Sequence, residues 1–156
     1  MSEPVLLERD RAEGAYERDL HRWALTQARL LRERRFAELD VANIVEELES
    51  LGREQAAKLR SSYRVLLLHL LKWAWQPGRR SRSWRATVVR ERGLAEQQLQ
   101  DNPSLKPRRR QLFTEAHRLA RKEAAAETGL PLDRFPVECP FTLEQAMDEE
   151  FWPEGA

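Results

Sequence analysis

Three side chains in this sequence have the types that do chemistry: His69, Glu46 and Glu49. An imidazole titrates near neutrality and can act as a general base or a metal ligand. Carboxylates at i and i+3, such as Glu46 and Glu49, share one face of a helix. If the helix bearing them packed antiparallel on the helix bearing His69, the three could converge as a metal- or His/Glu-dependent enzyme site. Two features set that reading third. Di-metal sites in helical bundles repeat Glu-x-x-His, and none of His21, His69 and His117 has a glutamate three residues before it. His69 also sits between Val65 and Trp73 on neighbouring turns, the place of a buried imidazole that holds one hydrogen bond. Cys139, the single cysteine, lies between Glu138 and Pro140. An acidic neighbour raises a thiol pKa, so it reads as packing rather than a nucleophile. Phosphate-binding glycine loops, His-Glu-x-x-His and Gly-x-Ser-x-Gly are absent. No catalytic residue, metal ligand or cofactor is assigned.

A second chemistry is available to Arg79, Arg80, Arg82, Arg85, Arg90 and Arg92, which are opposed locally only by Glu91. Guanidinium groups contact phosphates, Ser81 and Ser83 can donate to them, and Trp84 offers a ring for stacking. This makes a nucleic-acid-associated protein the alternative function. Counted in segments, residues 1–51 carry 8 basic and 12 acidic groups, residues 52–92 carry 11 and 2, and residues 93–156 carry 8 and 12. A basic centre between acidic ends neutralises itself inside a fold or an oligomer more readily than it seeks a polyanion. Arg80, Arg82 and Arg85 are therefore expected to pair with Glu46, Glu47, Glu49 or Asp148-Glu149-Glu150. The 23 arginines against 4 lysines carry less weight, since genome composition alone can bias that ratio.

These residues need helices to position them. Tyr16, Leu20, Trp23, Leu30 and Leu31 recur at helical spacing and predict a helix from about Tyr16 to Arg34. Asp40 offers an N-cap for a second, with Val41, Ile44, Val45, Leu48 and Leu51 at i, i+3, i+4 and i+7. Gly52 is a break or a weak point before a third helix, Arg53 to Trp75, ended by Gln76-Pro77-Gly78. Leu59, Tyr63, Leu66, Leu67, Leu70 and Trp73 form one broad stripe of it, while Val65, Leu68 and Trp75 fall on the other side. A helix apolar nearly all round is surrounded by neighbours or covered by another subunit. Val65, Leu68 and Trp75 are accordingly the candidate self-association residues.

Ser81 or Ser83 caps a fourth helix bearing Trp84, Val88, Ala95 and Leu99, closed by Asp101-Asn102-Pro103. A fifth runs from about Arg108 to Thr128, with Gly129 as a left-handed stop. Pro136, Pro140 and Pro153 forbid a long helix in the tail, residues 132–156, but Phe135, Phe141, Phe151 and Trp152 require it to wrap the bundle. Thr142-Leu143-Glu144-Gln145 matches a capping box for a short helix ending near Glu150.

The chain resembles the bacterial domain-of-unknown-function-29 family over nearly its whole length. The resemblance rests on Tyr16-Glu17-Arg18-Asp19, on Asn43 to Gly52, on Leu66 to Trp73, on Arg80-Ser81-Arg82-Ser83-Trp84, and on Phe135-Pro136, Cys139-Pro140 and Phe151-Trp152-Pro153. It implies a compact helical domain that makes up a whole small protein. It carries over no activity, cofactor or catalytic residue.

The expected fold is all-α: one helical domain over residues 1–156, a bundle of about five main helices with an aromatic tail packed on it and a flexible lead over 1–15. The leading function is a non-enzymatic protein-interaction or regulatory module that binds a protein partner or itself. One cysteine excludes a disulfide-stapled secreted scaffold, and no apolar run approaches the roughly 20 residues that span a bilayer. The N-terminus lacks a signal peptide's pattern, so a cytoplasmic location is expected.

Overall fold

The computed structural model describes residues 14–155. The fold is all-α, with six α-helices and no strand among the described residues. The expected lead falls, up to residue 13, outside them. The helices are α1 (Ala15–Arg18), α2 (Leu20–Arg32), α3 (Val41–Trp75), α4 (Arg82–Asp101), α5 (Arg109–Thr128) and α6 (Leu143–Met147). The chain divides into two compact units, Met1–Gly52 and Arg53–Ala156.

In the first unit the expected helix from Tyr16 to Arg34 is interrupted at Asp19, whose backbone leaves helical geometry (φ −154°, ψ 81°). Its carboxylate accepts from Arg22 N at 2.9 Å and so caps α2. A short aspartate satisfies orphan amides at a helix start better than it serves a helix interior. The start of α3 runs antiparallel to α1 and α2. Trp23 Nε1 donates to Asp40 Oδ2 at 3.0 Å, and Asp40 N donates to Gln27 Oε1 at 2.9 Å. Further along, Tyr16 donates its hydroxyl to Glu47 at 2.6 Å and meets Trp23 edge-on, with ring centroids 4.9 Å apart. Among the described residues of this unit, Trp23, Gln27 and Leu30 are the buried ones.

The second unit is built on the rest of α3. Leu59, Tyr63, Leu66, Leu67, Leu70 and Leu71 are fully buried, joined by Val88 of α4, Leu112 of α5 and Phe135 of the tail. Arg60 with Glu115, Arg64 with Glu123 and Lys72 with Glu127 pair α3 to α5 in ascending order, so these two helices run parallel. Ser81, not Ser83, caps α4 by accepting from Trp84 N at 3.2 Å. Gly129 ends α5 in the left-handed conformation (φ 71°) expected of a C′ glycine. Thr142 and Gln145 form the expected capping box, though α6 stops at Met147. The tail packs on this unit through Phe135, Phe141, Phe151 and Trp152.

The two helices expected on either side of Gly52 are one. Nothing stands within 4 Å of where a Cβ on Gly52 would lie, and α3 runs through it unbroken. A single helical glycine weakens a helix by only about 1 kcal/mol relative to alanine, which the flanking turns offset.

Candidate functional site

Glu46, Glu49 and His69 all lie on α3. His69 places Nδ1 2.9 Å from the Val65 carbonyl oxygen one turn earlier. Burial lowers its pKa, as it does that of His117, whose Nε2 has no hydrogen-bond partner. The Cys139 thiol is pushed up to about 11 by burial and is protonated at neutral pH. Tyr63, fully buried, has a hydroxyl without a partner, and burial pushes its pKa up to about 12. No group of three or more His, Cys, Asp or Glu among the described residues could hold a metal ion. No helix among them is long and apolar enough to cross a membrane.

Of the candidate arginines only Arg92 is buried, while Arg80 and Arg85 are exposed but reach the tail, through groups other than the carboxylates expected. Arg92 is buried and donates Nε to Ala146 O at 2.8 Å, Nη2 to Phe151 O at 2.8 Å and Nη1 to Glu149 O at 3.3 Å. Its guanidinium also lies 5.3 Å from the Trp152 ring centre, and that of Arg85 lies 4.9 Å from the same centre. Arg80 donates to Trp73 O at 2.9 Å and Pro153 O at 3.4 Å. A proline-broken tail has carbonyl oxygens that no helix satisfies, and the fork of guanidinium donors meets several at once. Burial lowers the Arg92 pKa, opposed by Asp148 and Glu149. Arg90, itself exposed, donates to buried Glu91, and Arg79 and Arg82 are exposed as well.

The candidate self-association residues are each placed in the second unit. Leu68 is 4% exposed inside the core, Trp75 packs 5.5 Å from the Phe135 ring, and Val65 is half-buried. Leu68 and Trp75 thus pack with the core of their own unit.

The uncovered apolar surface lies elsewhere. Of the thirteen large hydrophobic residues exposed among those described, eight fall between Leu20 and Leu51. Val41, Val45, Leu48 and Leu51 are 59%, 47%, 62% and 53% exposed. Their spacing identified a buried stripe in the sequence. Only the inner side of that stripe, at Asn43, Ile44 and Glu47, turns towards α1 and α2. Below it Asp40, held under the usual carboxylate range by Asn43 and Trp23 against the opposing effect of burial, pins the turn.

The family model for Domain of unknown function DUF29 matches residues 15–152. No curated protein matches the chain, and no solved structure does.

Proposed function

We propose that this chain, which belongs to the DUF29 family, is a non-enzymatic protein-interaction module whose binding surface is the apolar face of its first unit. The observation that carries this reading is the exposure of Val41, Val45 and Leu48 on α3 and of Leu20 and Leu31 on α2, in a unit with three buried side chains among its described residues. Monomeric soluble proteins rarely leave contiguous apolar surface of this kind bare unless it binds something. The partner surface that suits it is the apolar face of another helix or helix pair, laid along the stripe. Covering half-exposed valines and leucines recovers roughly 1 kcal/mol apiece.

The nucleic-acid reading has less support, because Arg80, Arg85 and Arg92 are engaged with the tail. A photo-crosslinking amino acid at Leu48, with one at the exposed Val137 as control, separates the two. Protein adducts specific to position 48 are the expected outcome. Adducts to nucleic acid, or none that differ from position 137, would sink the proposal.

A further inference from the structure

We propose that the second unit binds a small monocarboxylate with a short apolar body, in a cleft that carries the Tyr63 hydroxyl and the Arg109 guanidinium. The cleft lies between α3, α4, α5 and α6 and has a volume of about 340 Å³, at the lower end of the range for small-molecule sites. Two donors on its walls lack partners. The Tyr63 hydroxyl is buried and makes no hydrogen bond, whereas the large majority of buried polar side-chain atoms in native proteins have one. Burial keeps it protonated at neutral pH, so it donates. Arg109, half-buried in the first turn of α5, makes no hydrogen bond or ion pair with any described residue. Burial raises the Tyr63 pKa and the charge of Arg109 opposes that rise; on Glu144 the same charge adds to the lowering by its hydrogen bond from Arg110. The guanidinium is thus within electrostatic reach of the hydroxyl across the cleft that both line.

Charge and shape select the ligand. The planar guanidinium fork matches a carboxylate, which accepts on both oxygens and has lone pairs left for the hydroxyl. Two carboxylates also line the cleft, both on exposed residues. Glu144 is held by Arg110, and Glu96 accepts only from Gln100. One free cation near one free carboxylate suits an anion of single charge and opposes a doubly charged phosphate. The remaining walls are Leu99, Leu143 and Met147, so whatever extends from the carboxylate must be apolar. The Tyr63 hydroxyl is shielded from solvent. Met147, at the end of α6, is unbranched with three rotatable bonds, and of the wall residues it is the one best able to give way to an acceptor.

Titration of the isotope-labelled full chain with octanoate, kept below its micelle-forming concentration and followed by amide NMR shifts, tests this. Saturable shifts clustered at residues 96–99, 109 and 143–147, with a submillimolar dissociation constant, are expected. Octylamine and inorganic phosphate should bind the same chain at least about tenfold more weakly. Arg109→Gln should raise the dissociation constant for octanoate by about tenfold or more. Tyr63→Phe, which deletes only the hydroxyl, should raise it by about fivefold. Far-UV circular dichroism checks that both variants keep their helicity, and the comparison of the three probes on the wild type stands without them. No saturable shift with octanoate at millimolar concentration overturns the proposal. So does octanoate binding that octylamine or phosphate equals, or that folded Arg109→Gln and Tyr63→Phe chains leave unchanged.

Discussion

The leucines before Gly52 and those after it come from similar helical patterns but sit in different surroundings. Leu48 and Leu51 stand in solvent, whereas Leu59, Leu66 and Leu70, farther along the same helix, are fully buried. The difference is the number of neighbours. The second unit supplies α4, α5 and a tail of four aromatic rings around α3, while the described residues of the first supply α1 and α2. Amphipathic spacing says that a helix has a face to bury, and the count of elements available decides whether it is buried within the chain.

The sharpest way to break this comparison is to make one substitution in both places. Leu66→Ala removes a fully buried side chain from a close-packed core and should cost about 4–5 kcal/mol, measured by urea denaturation. Leu30→Ala, buried in the thin first unit, should cost nearer 2 kcal/mol because the site can collapse or admit water. Equal losses would mean that the two units are packed alike.

Next in size is the tail clasp, which sharpens the account of the second unit. Arg92→Leu removes three donors from tail carbonyl oxygens and should cost about 1.5–3 kcal/mol. Hydrogen exchange should then accelerate from Ala146 to Phe151 and not in α2. Protection unchanged in the tail would show that its aromatic rings hold it without the arginine. A smaller loss, about 1 kcal/mol, is expected from Trp23→Phe, which deletes the bond to Asp40 while keeping most of the ring. Faster exchange at the start of α3 is the readout, with the second unit unaffected.

The gentlest effect is on pH. His69 and His117 both have folded-state pKa values lowered by burial from the ordinary 6.5. The unfolded chain therefore binds these protons first, so stability is full above pH 6.5 and falls as the pH drops below it. Glu38, Glu115 and Glu144 are lowered by their arginine and glutamine partners, so their contribution is lost only in a more acid window, below 4.5. Thermal melts from pH 7.5 to 5 should decline, and His117→Gln should flatten the decline. A melting temperature constant over that range would contradict the burial of these two rings.

Much of this molecule was legible in its sequence. Helical class, the core stripe from Leu59 to Leu70, the stop at Gly129 and the capping box at Thr142 each depend on a local rule of spacing or backbone geometry, which a linear pattern records. The break at Asp19 was carried by a residue type that caps as readily as it faces solvent. Continuity through Gly52 depended on a cost of about 1 kcal/mol being offset by the turns on either side. The Arg92 clasp left no sequence signal, because its acceptors are backbone carbonyl oxygens, which every residue has.

What the sequence determined by itself was which faces are apolar and which segments are charged, since these follow from side-chain chemistry and helical period. What only the tertiary structure decided was which of those faces find cover. Two stripes of like spacing met different fates: one is enclosed by α4, α5 and the tail, and the other stands open between Leu20 and Leu51. Burial is a property of the neighbours a residue acquires, and neighbours distant in the chain leave no mark on local spacing.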